Sequence, residues 1–455
     1  MPDPHLDTAP PTVPTPDHPV RSVLVVGGGL AGAQTVAALR DASFDGHITL
    51  LGDEGLAPYD RPPLSKHLFD RTEPAWLVDE LAVDVHALAD VVHLDRAARS
   101  LRIEPRGVRV DAGSSTLDAD AVVLATGSRP VRPRGWGRAL TLHTAEDGAR
   151  LRALLTPGRR LVVVGAGWIG AEVAGVAAVA GVDVTVVEAT TAPLASALGA
   201  RVGDLTAGWY PAAGVRLVVG AEVSDVADDG VRLADGRRLP ADVVLAAVGA
   251  RPDTGWLDGA LPRDPDGSLR VDAGHGVVGA PGHVRAVGDV ARRWSPRHGW
   301  VPGGHWDGAL RGPAVAVRAL LGRGALAASS TPGASSAPRA SSAPGAAPDD
   351  PAPYVFSSQL GHELTLYGHQ RPGDELVLRG DPGDGDGWGA LWLAAPDVRG
   401  GGGDGRGRRL TALLAVDRPR DVAAARRLFA GPELPRVDPL IAADGGRQLR
   451  EAVVG

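Results

Sequence analysis

Two stretches of the chain repeat one hydrophobic pattern. Ser22–Val26 is a short β-branched run ending in Gly27-Gly28-Gly29. Helix-forming residues follow from Leu30 to Arg40, and Ile48–Leu51 is the next apolar run. A strand, glycine turn, helix and strand in that order predict a βαβ unit at the start of the ordered chain. Leu161–Val164, a second glycine turn, a helix through Ala180 and the strand Asp183–Glu188 repeat the pattern. Two such units imply two nucleotide sites. The apolar run from Ala121 to Gly127 has a near copy from Ala241 to Gly249, and a further glycine turn, Val287-Gly288-Asp289, follows Val284. The second unit is therefore expected to be inserted in the first, whose sequence resumes near Thr254.

Beyond these units the pattern changes. Gly322 to Pro353 is almost entirely Ala, Ser, Pro and Gly. So few bulky apolar residues cannot offset the entropy of ordering, which predicts a disordered linker. Tyr354–Tyr367, Glu375–Arg379 and Trp388–Ala394 then read as strands. Asp421–Phe429 reads as a helix, with Asp421 placed to favour its N-terminus. Gly383–Gly387 and Gly400–Arg408 read as loops. The Pro-rich start, Met1 to Pro19, has no apolar core of a signal peptide and reads as a disordered tail.

Composition removes several classes of function. At 44% hydrophobic and 22% charged residues the chain matches an ordinary globular protein, and a net charge of -7 argues against nucleic-acid binding. The zero cysteine count excludes disulfides, thiolate zinc sites, iron–sulfur ligation by this chain and a redox-active cysteine pair. The histidines lack metal-ligand spacing, so no metal is expected. The most apolar stretch, Leu161 to Val182, contains glycines at 165, 167 and 170 and Glu172, which predict a buried strand, turn and helix rather than a membrane span.

The glycine turns carry the chemistry. Gly27-x-Gly29-x-x-Gly32 follows a strand and opens a helix, so that backbone N–H groups can approach a pyrophosphate at the helix N-terminus. Asp53, just past the next strand, is placed to accept hydrogen bonds from an adenosine ribose. Gly165-x-Gly167-x-x-Gly170 is answered in the same way by Glu188. That carboxylate suits a free 2′-hydroxyl and repels a 2′-phosphate, and no basic residue follows it in Ala189–Ala192, so the second site reads as one for NADH. Pro58-Tyr59-Asp60-Arg61-Pro62-Pro63-Leu64-Ser65-Lys66 is a stiff loop that delivers Lys66 near a helix start.

With Val26–Gly32, Tyr59–Lys66, Ala125–Pro130, Val164–Glu172, Val248–Pro252, Gly288–Ala291, His305–Asp307 and Ala415–Pro419, the chain resembles the FAD-dependent, NADH-using ferredoxin reductases of the putidaredoxin reductase, rubredoxin reductase and aromatic-ring dioxygenase reductase type. The resemblance implies an α/β fold with two Rossmann-type dinucleotide-binding domains, glutathione-reductase-like, plus a small α+β C-terminal interface domain. The divisions expected are a tail over 1–20, an FAD-binding domain over 21–135 and 255–321, an NADH-binding domain over 136–254, a linker over 322–353 and the C-terminal domain over 354–455. By position, Gly27, Gly29, Ala31, Gly32, Asp53, Lys66, Arg129, Asp289 and Trp306 would serve FAD, and Gly165, Gly167, Gly170, Glu188 and Gly249 the nucleotide sites. Lys66 would stabilise charge on the reduced ring, and Glu172 would lie beside the nicotinamide, which makes these two the catalytic candidates.

The implied activity is hydride transfer from NADH to FAD, then single electrons to a [2Fe–2S] ferredoxin serving a cytochrome P450 or ring-hydroxylating oxygenase. Positioning and electrostatics would supply most of the catalysis. The alternatives are an NADH oxidase or quinone reductase without a ferredoxin, and a non-enzymatic NADH-binding redox sensor. Two basic clusters could steer an acidic ferredoxin: Arg129, Arg132, Arg134 and Arg138, and, closer to Asp289, Arg292, Arg293 and Arg297. The cytoplasm is the expected location. The chain departs from the family at His143, usually Arg, at Gly304, often Glu, and at Phe356-Ser357-Ser358-Gln359, usually Trp-Ser-Asp-Gln, a stretch that lies close to the flavin in relatives.

Overall fold

The computed structural model describes residues 8–257, 259–322, 350–383, 385–395 and 407–454. The first unit is a parallel sheet in the order Val284–Ala286, Ala121–Leu124, Ser22–Val26, His47–Leu51, Val91–His93. The second is a parallel sheet in the order Arg216–Val218, Asp183–Val187, Arg160–Val164, Val243–Ala246. Strands buried on both faces explain the unbroken apolar runs: Val23 to Val26 and Leu161 to Val164 are all 5% exposed or less. Val284–Ala286 joins the first sheet although the second unit precedes it in sequence. Where the chain passes between units, Ser128–Pro130 and Ala250–Pro252 pair antiparallel, so that the segments just after the two near-copies bond to each other.

The C-terminal sheet runs in the order Tyr354–Gln359, His362–Gly368, Arg408–Val416, Trp388–Leu393, Glu375–Arg379. Two expectations change here. Tyr354–Tyr367 is not one strand but a hairpin that turns at Leu360-Gly361, where Leu360 takes φ 50° and Gly361 φ 88°. The sheet also contains a strand the sequence reading passed over, Arg408–Val416, and it is central. Seven consecutive residues from Leu410 to Val416 are buried. Leu413 and Ala415 meet the helix Pro419–Leu428, and Leu414 and Val416 meet Leu194, Leu198 and Val202 of the second unit. Covered on both faces, the strand shows no alternation. Asp421 lies in the first turn of its helix as expected, but its carboxylate bonds to Arg379 and Arg418. The Gly383–Gly387 loop is described except at 384, whereas 400–406 lie outside the described residues.

The linker and tail readings are corrected at their ends. Residues 323–349 lie outside the described residues, but Asp350 is buried and closes an ionic cluster. Arg293 Nη1 reaches its Oδ1 at 2.6 Å, while Ser295 Oγ at 2.9 Å and Arg297 Nε at 3.2 Å reach its Oδ2. Burial pushes the Asp350 carboxyl up, but the two guanidiniums outweigh it and hold the group below its ordinary range.

Residues 1–7 also lie outside the described residues, yet the chain from Val13 onward is strapped across the first unit. Val13 N–H donates to Asp272 Oδ2 at 2.6 Å, and Arg285 Nη2 donates to Pro14 O at 3.2 Å. Gly282 makes room, since a Cβ there would stand 2.2 Å from Pro14 O. His18 packs edge-on against His283 at 5.5 Å.

Removing residues 1–17 deprives Asp272, 4% exposed, and Arg285, 1% exposed, of hydrogen-bond partners. At roughly 1–3 kcal/mol for each buried group left short, the truncated chain should lose about 2–6 kcal/mol in denaturant unfolding. An unchanged midpoint would mean that the strap adds nothing.

Candidate functional site

Both glycine turns open into one cavity of about 1450 Å³ between the two units. That exceeds the roughly 300–1,000 Å³ of a single small-ligand pocket, as two dinucleotides end to end would require. Each turn lies at the C-terminal edge of its parallel sheet, where open α/β sheets bind ligands. The helices Leu30–Asp41 and Trp168–Val179 begin at Gly29 and Gly167 with no side-chain cap and no acidic residue in the first turn. Their first N–H groups and positive dipole ends are thus left for an anion. Gly27 has φ 125°, and a Cβ would lie 2.0 Å from Ala125 O; Gly165 repeats this with φ 106° and 2.4 Å to Ala247 O. Gly32 and Gly170 sit behind the turns, where added Cβ atoms would stand 1.8 Å from Gly27 O and 2.0 Å from Gly165 O. Gly27, Gly29, Ala31, Gly165, Gly167 and Gly249 line the cavity. These residues fit two pyrophosphates.

Lys66 and Glu172 meet in the lining of the cavity. Lys66 closes the one-turn helix Pro63–Lys66 rather than starting a helix, and its Nζ bonds to Glu172 Oε1 while lying 5.0 Å from the centroid of the Phe356 ring. Glu172 is 3% exposed. Sequence reasoning missed its other partners, Ser65 and Ser357, whose hydroxyls donate to the same carboxylate. Ser65 stood within a motif already singled out. Ser357 stood in the Phe356–Gln359 stretch, but at 185 positions from Glu172 no local signal ties the two.

The remaining candidates ring the cavity. Asp53 Oδ2 pairs with Arg129 Nη2 at 3.0 Å, and Arg129 Nε also reaches Asp253 Oδ2 at 2.7 Å, an exposed group in which screening leaves little net energy. Glu188 accepts from Ala166 N–H at 2.7 Å and from Thr190 N–H and Oγ1 at 2.8 Å each, which fixes its carboxylate at the cavity wall. Asp289 accepts from Ser128 Oγ at 2.8 Å and from the Gly304 N–H at 3.1 Å. Trp306 Nε1 donates to Asp60 at 2.8 Å, and its ring stands edge-on to Phe356 at 5.9 Å.

Burial dominates the local electrostatics. It raises the Asp60 carboxyl, with Trp306 opposing, and it raises the Tyr59 phenol, whose hydroxyl bonds to Glu54. His143 lines the cavity, and burial, helped by Arg61, pushes it down to about 4. This position therefore presents a neutral ring at pH 7. In the Phe356–Gln359 stretch, Ser357 and Gln359 are buried, with Gln359 bonded to Ser357 and Ser357 to Glu172, while Ser358 bonds to Glu363.

The expected basic docking patch does not form. Arg293 and Arg297 are each 9% exposed and spent on Asp350, with Arg297 Nη1 also donating to Phe429 O and Gly431 O at 2.8 Å. Arg292 pairs with Asp264 at 3.2 Å. Arg293 and Arg297 seat the C-terminal part of the chain, because their guanidiniums satisfy its carbonyls at Pro351, Phe429 and Gly431. In the other cluster Arg138 pairs with Asp228 and Arg132 donates to Thr141 Oγ1 at 2.6 Å. Among the described residues there is no metal-ligating cluster, and no helix is long and apolar enough to cross a membrane.

Comparisons with known proteins agree with this geometry. The model of the pyridine nucleotide-disulphide oxidoreductase family matches residues 21–312. The chain is 34% identical over 442 residues to the ferredoxin reductase component of chlorobenzene dioxygenase from Cupriavidus sp. (strain PS12), covering 95% of this chain and 97% of that one. It is 32% identical over 451 residues to the ferredoxin–NAD(+) reductase subunit of the benzene 1,2-dioxygenase system of Pseudomonas putida, covering 95% and 97%. Among solved structures, the covalent putidaredoxin reductase–putidaredoxin complex matches with a TM-score of 0.79 at 25% identity, covering 95% of this chain and 98% of that one.

A methyl group on Gly32 must displace either its helix or the first turn. Gly32→Ala is expected to remove most of the copurifying flavin, read by visible absorbance per chain, while Gly170→Ala leaves flavin in place and weakens NAD⁺ binding. Equal flavin content in wild type and Gly32→Ala would refute this division of labour.

Proposed function

The chain belongs to the pyridine nucleotide-disulphide oxidoreductase family, and on that premise we propose that it is an NADH-dependent ferredoxin reductase. The single observation that carries the proposal is the shared cavity: two glycine turns face one space, and a Lys–Glu pair lines it. When bound, FAD would supply an acceptor for the hydride of NADH and a donor of its electrons one at a time. No dithiol within the chain can receive them, since it has no cysteine, so they must leave to a separate partner. The relatives' names make that partner a ferredoxin, and we take it to be of the [2Fe–2S] type serving a ring-hydroxylating oxygenase or a cytochrome P450. A chain without cysteine that consumes NADH suits the cytoplasm.

In this proposal the protein's work is positional. Gly27, Gly29 and Ala31 with the Leu30–Asp41 helix hold the FAD pyrophosphate, and Asp53 holds its adenosine ribose. Arg129 keeps Asp53 in place, Asp289 and Trp306 bound the flavin end, and Gly249 forms part of the wall. Gly165 and Gly167 with the Trp168–Val179 helix hold the NADH pyrophosphate. Glu188, already anchored by two donors of Thr190 and by the Ala166 N–H of the glycine turn, offers its remaining acceptor site to a ribose hydroxyl and opposes a 2′-phosphate. Lys66 keeps a positive charge beside the ring, and Glu172 holds Lys66 and borders the nicotinamide. Excluding water from this space strengthens each of these interactions.

The test is anaerobic stopped-flow of the FAD-loaded protein with NADH, then NADPH, then an added [2Fe–2S] ferredoxin. Rapid flavin bleaching by NADH, at least about tenfold slower bleaching by NADPH, and transfer to the ferredoxin are expected; tenfold corresponds to about 1.4 kcal/mol of discrimination. Glu188→Ala should narrow that ratio. Bleaching without transfer would point to a small-molecule acceptor, and no bleaching to a binding protein.

A further inference from the structure

Three parts of the chain that are distant in sequence meet on one carboxylate at the back of the cavity. Ser65 and Lys66 come from the first unit, Glu172 from the second, and Ser357 from the C-terminal sheet. Ser65 Oγ donates to Glu172 Oε2 at 2.5 Å, and both Lys66 Nζ and Ser357 Oγ donate to Oε1. Ser357, 1% exposed, also accepts from Gln359 Nε2 at 2.9 Å, and Gln359 is 2% exposed. A hydroxyl has one proton to give, and the amide of Gln359 occupies an acceptor lobe. The Ser357 proton therefore goes to Glu172, and the direction Gln359 to Ser357 to Glu172 is fixed.

The backbone holds this hydroxyl in place. Ser357 pairs with Leu364 in the antiparallel hairpin. The hairpin turn lies directly on the helix that carries Glu172, at Gly175, where a Cβ would come within 2.9 Å of Leu360 N. That close approach lets a residue of the C-terminal sheet reach a carboxylate on the second unit.

We infer that Ser357 is a positioning residue for hydride transfer: by filling one lobe of Glu172 Oε1, it limits how far the carboxylate draws the Lys66 ammonium away from the cavity. This rests on the assignment above of Lys66 and Glu172 to the cofactor pair. Without the hydroxyl, Oε1 has only Lys66 to answer it. The ammonium then moves deeper against the carboxylate, and its charge acts less on the ring.

The test uses the FAD holoenzyme and the variants Ser357→Ala, Ser357→Thr, Glu172→Gln and Ser357→Ala with Glu172→Gln. Ser357→Ala should keep its FAD content and its NAD⁺ dissociation constant within about twofold. Its flavin reduction rate at saturating NADH should fall about tenfold, the scale of one lost hydrogen bond to a charged group, and its flavin midpoint potential should become more negative. Ser357→Thr, which restores the donor, should recover both readouts. In the Glu172→Gln background Ser357→Ala should change neither, because the carboxylate charge that draws Lys66 is already gone. A wild-type rate and potential in Ser357→Ala would overturn the inference, as would a full tenfold loss persisting on Glu172→Gln. Failure of NADH to reduce the wild-type flavin would instead overturn the functional assignment on which the inference rests, and the inference with it.

Discussion

A carboxylate taken out of water must be answered by donors, and the arrangement of this protein follows from how Glu172 is answered. Its three partners come from two other parts of the fold, so the first unit, the second unit and the C-terminal sheet must all arrive before the charge is satisfied. Removing one partner of such a buried pair typically costs about 3–5 kcal/mol, much of it the penalty of the charge left behind. The same device recurs at Asp350 with Arg293 and Arg297, and at Asp421 with Arg379 and Arg418. Buried ion pairs add little net stability, but they discriminate strongly between the right and wrong seating of one layer on another.

Aliphatic and small residues make the close seating possible. Only 4% of the chain is aromatic, whereas 62 residues are glycine. The helix Trp168–Val179 buries Gly170, Ala171, Ala174, Gly175 and Ala177. With so little side chain on its buried face, the helix approaches its own sheet on one flank and the Leu360 turn on the other. Three of the few aromatic rings line the cavity together, with Trp306 against Phe356 and Phe356 against Tyr354.

Much of this was legible in the sequence. The βαβ units, their glycine turns and the Lys66 and Glu172 motifs depend on local patterns of fixed period, and the structure has strands, helices and turns at those places. What was missed depends on packing between distant segments. Arg408–Val416 lacks alternation because both its faces are covered, and a run of apolar residues with no period does not announce a strand. The tail from Val13 and the anchor at Asp350 look polar and poor in core residues, and their order comes from buried charges elsewhere, Asp272, Arg285, Arg293 and Arg297. The arginines between 292 and 297 show the opposite error. A cluster of charge in sequence says nothing about which way the guanidiniums point, and here two of the three turn inward.

The paired crossings between the two nucleotide units also constrain movement. Ser128–Pro130 leaves the first unit, Ala250–Pro252 returns to it, and the two are hydrogen-bonded side by side with Arg129 opposite Arg251. Two independent tethers would allow one unit to twist or slide against the other. A bonded ribbon resists shear along its length and bends most easily across it, which leaves a single hinge axis. Rotation about that axis opens or narrows the space between the glycine turns without changing the register of either sheet, so a relative motion of the units that admits nucleotide would be a flexing of this ribbon rather than a sliding of domains.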